Sequence, residues 1–163
     1  MQFRKFLDPN RICIDSTAQS KTAVLLKISQ LLNQNHPELE VESLFDAFWR
    51  RDSLGSTAIG HGIILPHIRS TLINHTLGCF IKLKHPVDFG AEDKQPIDLV
   101  VGLIGPQENP EEHLQILRSL ITQFSKPEFR KACRLAEDHE TLHRIIYKSS
   151  EQMTIRELES LEF

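Results

Sequence analysis

The chain is poor in the features that mark several protein classes outright. Its three cysteines, Cys13, Cys79 and Cys133, lie far apart and form no Cys-x-x-Cys pair. Such an odd, scattered set supports neither a disulfide framework nor a zinc knuckle, and it fits reduced thiols in a cytosolic protein. No apolar run approaches the roughly 20 residues of a membrane span. Residues 1–10 mix charge with Phe3, Phe6 and Leu7 and lack the continuous apolar core of a signal peptide. Basic blocks are missing as well. With a formal net charge of −3, a dedicated nucleic-acid binder is excluded, and partners are expected among proteins or small molecules. Repeats, low-complexity tracts and interdomain linkers are absent. Together these absences predict a cytoplasmic protein with no direct insertion into a membrane.

What is present suits one ordinary domain. The 163 residues are 40% hydrophobic, enough to build a core without covalent staples. Ile12 to Ile14 reads as a short strand. Val24, Leu25, Ile28, Leu31 and Leu32 form one wide stripe at helical spacing, so a helix is expected over 21–33 with Ser20 as its N-cap. His36-Pro37 closes that region. A second helix is expected over about 42–51, with Leu44, Phe45, Phe48 and Trp49 as its buried stripe. Residues 58–67 read as a strand that stops at Pro66, since proline has no N–H for a ladder. Strands are also expected over 77–83 and 97–104, the latter buried on both faces because Leu99, Val100 and Val101 are consecutive. Gly105-Pro106 and Asn109-Pro110 mark a loop. Helices follow over 111–124, with Leu114, Leu117, Leu120, Ile121 and Phe124 at helical spacing, and over about 127–136, opened by Pro127. A last helix is capped by Asp138 and buries Leu142, Ile145 and Ile146. Residues 1–150 then form a single α/β domain, and 151–163 a charged tail, read as a loosely attached short helix.

The segment Gly55 to His67 is the most unusual in the chain. It is small and glycine-rich, then apolar, and it delivers a histidine directly after Pro66. Proline fixes the backbone there and limits where the ring can point. Strand ends in α/β proteins often carry reactive groups, because a rigid element aims them. A neutral imidazole suits phosphoryl acceptance. It is nucleophilic near neutral pH, provided its other nitrogen is held as a donor, usually to a backbone carbonyl. Phosphoryl transfer asks little covalent chemistry of a protein beyond alignment and positive or N–H groups facing the phosphoryl oxygens.

Four ordered blocks sharpen this reading: Arg51 through Gly62, Gly62-Ile63-Ile64-Leu65-Pro66-His67, Gln95-Pro96-Ile97-Asp98-Leu99, and His113-Leu114-x-x-Leu117. On these the chain resembles the enzyme IIA domains of the fructose/mannitol class in the bacterial sugar phosphotransferase system, nearest to their nitrogen-regulatory type. The resemblance covers most of the chain and implies a mixed central sheet flanked by helices on both faces. It implies that His67 is phosphorylated at Nε2 by a small, HPr-like histidine phosphocarrier protein. His113 is implied as a second histidine set against the first, and Arg51 as a holder of the phosphate region. Ser56 and Thr57 are candidates for hydroxyl donation to phosphate or for shaping a turn. Arg69, at a commonly basic position, is a candidate for supporting the phosphate and for meeting an acidic partner or substrate. No cofactor, metal or nucleotide is called for, because the donor is already a phosphohistidine. The output expected of a nitrogen-regulatory member is signalling to regulatory targets such as kinases or potassium-transport components. The alternative is a sugar-specific role that passes phosphate to an enzyme IIB. Two positions depart from the pattern: Ile68 stands where a small residue is usual, and His61 where a small or amide residue is common.

A rival motif lies near the end. His139-Glu140-Thr141-Leu142-His143 matches the His-Glu-x-x-His of zinc metalloproteases, whose histidines share one helix face. It sits in the first turns of a terminal helix with little chain after it for a third ligand, although Glu157, Glu159 and Glu162 follow. The segment is read as a capped amphipathic helix.

Overall fold

Residues 3–149 are described by the computed structural model, so the expected charged tail lies outside the described residues. After a short 3-10 turn at Phe3–Lys5, the chain runs β1 (Leu7–Asp15), α1 (Lys21–Asn33), α2 (Val41–Ser53), β2 (Ala58–Gly60), β3 (Ile63–Ile64), β4 (His67–Ser70), β5 (Leu77–Val87), β6 (Ile97–Pro106), α3 (Pro110–Phe124) and α4 (Pro127–Leu135). Residues 139–149 form a further helix, α5. No described helix is long and apolar enough to cross a membrane.

The sheet is mixed, in the order β1-β5-β6-β3-β2, with β4 continuing along β6 beyond β3. β5 pairs antiparallel with β6, whereas β1 runs parallel to β5, and β3 and β4 run parallel to β6. Helices cover both faces. Val24, Leu25 and Ile28 of α1 and Leu44 and Phe48 of α2 pack with Ile64, Val100 and Ile104 on one side. On the other, Ile116, Leu120 and Phe124 of α3 pack with Ile63, Leu99, Val101 and Leu103, together with Phe129 of α4 and Leu142 and Ile146 of α5. β6 is therefore buried on both faces, as its unbroken apolar run predicts.

Local chemistry accounts for the helix ends. The Ser20 side chain accepts from the Ala23 N–H at 3.1 Å and caps α1. Asp138 accepts from the Thr141 N–H at 2.8 Å and starts α5. Asn109 accepts from the Glu112 N–H at 3.3 Å, and Pro110 occupies the first turn of α3, where no N–H is needed. Asn109-Pro110 is thus a helix start and not a loop. Gly105-Pro106 is not a loop either: both residues belong to β6.

Three further expectations are corrected. The strand expected over 58–67 is three short strands. β2 and β3 join through a tight turn in which Gly60, His61 and Gly62 all take positive φ. A Cβ on Gly62 would lie 2.8 Å from Arg134 Nη2 and 2.9 Å from Asp98 Oδ1, so only glycine fits there. Arg134 of α4 locks this turn, donating from Nε and Nη2 to the two carboxylate oxygens of Asp98, both at 2.8 Å, and from Nη2 to the His61 carbonyl. Second, Pro66 interrupts the segment without ending it: the Leu103 N–H donates to the Pro66 carbonyl at 2.9 Å, and His67 opens β4 directly. Third, the expected apolar stripes are too wide. Trp49 of α2 and Leu114 and Ile121 of α3 remain more than two-fifths exposed. Trp49 lies against Phe45 and under the Lys21 ammonium rather than in the core.

β6 carries two glycines on opposite faces. A Cβ on Gly102 would stand 2.6 Å from Cγ2 of Ile28, in the core shared with α1. Gly102→Ala should therefore lower unfolding stability by about 1–3 kcal/mol through overpacking, measured by urea denaturation. An unchanged midpoint would show that α1 yields at that contact.

Candidate functional site

β4 lies beside β6 with His67 opposite Leu103, Ile68 opposite Ile104 and Arg69 opposite Gly105. Alternation along the strand turns Ile68 toward the α1–α2 core, where it packs, and His67 toward the α3 side. α2 and α3 flank this strand, and between them opens a cleft of about 710 Å³. His67, His113, Arg50, Arg51, Arg69 and Gln107 supply its polar lining, while Leu54, Leu114 and Leu117 supply much of its apolar lining. Leu54 is 84% exposed, an apolar knob at the rim.

His67 is half-buried, and its orientation is set by one hydrogen bond. Nδ1 lies 2.8 Å from the Leu65 carbonyl oxygen. A carbonyl can only accept, so Nδ1 carries the proton and Nε2 keeps its lone pair. Burial lowers the His67 pKa below the ordinary 6.5, the bond to Leu65 opposes this, and the nearby Arg51 charge lowers it further. The ring is therefore a neutral Nε2 nucleophile near pH 7.

His113 faces it from α3, the ring centroids 5.6 Å apart and the planes at 49°. It is only 4% exposed, yet neither ring nitrogen has a hydrogen-bond partner among the described residues. Burial first, then the neighbouring His67 and Arg69, brings its pKa down to about 4. A buried ring with two unsatisfied nitrogens is costly unless a group arriving in the cleft supplies what is missing.

The arginines differ in their commitments. Arg51 Nη1 donates to the Gly55 carbonyl at 3.0 Å, tying the end of α2 to the glycine-rich loop. Its charge still reaches His67. Arg69 leaves β4 on the same side as His67 and faces His113 electrostatically. Arg50 lines the cleft as well.

Not every candidate comes together here. Ser56 and Thr57 are not among the cleft's lining residues. Ser56 Oγ accepts from the Ala58 N–H at 3.1 Å, and the Thr57 carbonyl accepts from the Leu65 N–H at 3.1 Å, so both shape the entry to the strands. The His-Glu-x-x-His segment is engaged elsewhere. His139 Nδ1 donates to the Ile12 carbonyl at 3.1 Å, Glu140 pairs with Arg144 at 3.3 Å, and His143 packs edge-on against Tyr147 at 4.4 Å. Among the described residues no group of three or more His, Cys, Asp or Glu side chains is placed to hold a metal. Two contributors escape the sequence reading. Gln107 follows β6 and donates its N–H to the Ser70 carbonyl at 2.8 Å. Gly105 lies directly under the His113 ring, and its only signal is a glycine inside an apolar strand, which often marks a close approach.

The chain is similar to known proteins over most of its length. A family model described as "Phosphoenolpyruvate-dependent sugar phosphotransferase system, EIIA 2" matches residues 5–149. A nitrogen regulatory protein of Pseudomonas aeruginosa is 32% identical over 146 residues, which cover 90% of this chain and 95% of that protein. A nitrogen regulatory protein of Escherichia coli is 34% identical over 142 residues, covering 84% of this chain and 85% of its own length. Among solved structures, the nitrogen regulatory protein IIA-Ntr of Neisseria meningitidis superposes with a TM-score of 0.81 at 29% identity, covering 87% of this chain and 97% of that one.

The buried, unpartnered His113 makes acid stability depend on pH in a defined direction. Its pKa is near 4 folded and 6.5 unfolded. The stability it contributes is complete above pH 6.5 and is lost as pH falls toward 4, at up to about 1.4 kcal/mol per pH unit. Urea titrations between those values should show this slope, reduced in His113→Leu. Equal slopes in the two proteins would show that His113 protonates freely in the folded state.

Proposed function

Since the chain belongs to the EIIA 2 family of the phosphoenolpyruvate-dependent sugar phosphotransferase system, and within it sits with the nitrogen-regulatory type, we propose that Nε2 of His67 accepts a phosphoryl group from the phosphohistidine of a small HPr-like carrier protein and that the phosphorylated state signals to regulatory partners. The observation that carries this reading is the Nδ1 bond from His67 to the Leu65 carbonyl. It selects the tautomer whose free lone pair faces a cation-rich cleft.

In the transfer, the Nε2 lone pair attacks phosphorus in line. The donor's P–N bond breaks as the new one forms, and the donor imidazole leaves with the electron pair. Arg51 and Arg69 offset the charge of the three equatorial oxygens, and His113 donates a hydrogen bond to one of them, satisfying a nitrogen that is otherwise without a partner. The group transferred is already activated, so alignment and charge stabilisation suffice. Leu54, Leu114 and Leu117 offer the apolar part of a docking face around the histidine, and Arg50 and Arg69 its polar rim. Ile68 packs in part against the α1–α2 core and also lines the cleft beside His67, so its bulk borders the docking face. A phosphoryl group on His67 places about two negative charges at that face and changes which partners fit it. The reading is of a regulatory output, to targets such as kinases or potassium-transport components, and its support is the similarity to proteins described as nitrogen regulatory. Transfer onward to an enzyme IIB would mark a sugar-specific role instead.

Purified protein mixed with enzyme I, the histidine carrier and labelled phosphoenolpyruvate should take up acid-labile, base-stable label. His67→Ala should take up none while retaining its fold, and His113→Ala should label about tenfold or more slowly. Persistent labelling of His67→Ala would move the acceptor elsewhere. Partner capture from phosphorylated and unphosphorylated protein should differ, and identical sets would remove the switch.

A further inference from the structure

Among the described residues His113 is held beside His67 by something other than hydrogen bonds, because neither of its ring nitrogens has a partner there. The ladder shows what holds it. Gly105 pairs with Arg69 in the parallel register that sets His67 opposite Leu103. Positions 103 and 105 therefore project to the same face, the one covered by α3, where Leu103 packs with Ile116 and Leu120. At 105 there is no side chain, and the His113 ring occupies the space. A Cβ built on Gly105 would lie 2.3 Å from Nδ1, 2.8 Å from Cγ and 3.1 Å from Cε1 of that ring.

The backbone does not ask for glycine at this position. Gly105 lies in the regular ladder and is not among the residues with positive φ. Its requirement is space alone. α3 cannot back away to make room, since Ile116, Leu120 and Phe124 anchor it in the core. Any side chain at 105 must therefore turn the His113 ring out of its seat.

We infer that Gly105 is a positioning residue for phosphoryl transfer: the missing side chain in β6 seats the His113 ring close against the strand and thereby fixes its place beside His67. The inference rests on the reading of His67 as acceptor and adds a residue that touches neither donor nor phosphate. Gly102 provides the internal control. It lies in the same strand, and its added Cβ would meet Ile28 at 2.6 Å in the core shared with α1.

The test is a double-mutant cycle on the single-turnover rate of transfer from phosphorylated carrier, with Gly105→Ala, His113→Ala, the double variant and Gly102→Ala. Gly105→Ala is expected to slow transfer about ten- to a hundredfold, the scale of a misplaced group. The double variant should be no slower than His113→Ala alone, and Gly102→Ala should transfer at the normal rate. NMR titration should show the His113 ring, near pKa 4 in the parent, moving up toward the ordinary value in Gly105→Ala and staying put in Gly102→Ala. A Gly105→Ala rate equal to the parent's, or losses that multiply in the double variant, would overturn the inference. Should the parent take no label, the acceptor reading fails while the NMR titration still decides the seat. Should Gly105→Ala alone not fold, a folded double variant supports the seat, and an unfolded one overturns it.

Discussion

A strand buried on both faces can satisfy its backbone only sideways, and β6 imposes that constraint on the rest of the molecule. Along one edge β5 supplies a long antiparallel partner. Along the other, two short parallel strands share the task, separated by Pro66, which accepts from Leu103 but has no N–H to give. The break lets the chain change direction by one residue's worth of freedom while staying attached to the sheet. His67 is the first residue after it. Its aim is therefore a property of the sheet and not of a loop, and the bond from its ring to Leu65 spans the same break.

The two imidazoles stay neutral by different means. His67 is poised by an explicit acceptor on one nitrogen. His113 is kept neutral by exclusion from water and by the neighbouring His67 and Arg69, with no acceptor offered among the described residues. One ring is thus fixed in tautomer and ready to attack, and the other waits for an oxygen to bond. Around them, among the described residues, the lining carries arginines and no carboxylate, although the whole chain has a net charge of −3. Positive potential is concentrated where an anionic group must be received.

Much of this was legible from residue order. α1 begins and ends where its apolar stripe and Ser20 place it, and the both-face burial of β6 follows from its unbroken apolar run. His67 and His113 stand together as the ordered blocks imply. What failed to show has a common cause: periodicity reports which residues can be buried, not which surface is left uncovered. Trp49, Leu114 and Ile121 fit their stripes and remain exposed, two of them on the helix that borders the cleft. Gly105-Pro106 carries the composition of a turn, yet strand pairing with β4 overrides it. The place of His113 depends on an absence one strand away, which no pattern within α3 could register.

The three cysteines have a consequence of a different kind. All are buried and free, and burial pushes Cys13 up to about 11 and Cys79 and Cys133 up to about 12, so none presents a thiolate to solvent near neutrality. Cys13 and Cys79 belong to the layer between sheet and α1–α2, and Cys133 to the layer under α3 and α5. Native thiols thus act as silent reporters, one set in each half of the sandwich. Alkylation kinetics read out the opening of each layer separately, against no background from the folded surface.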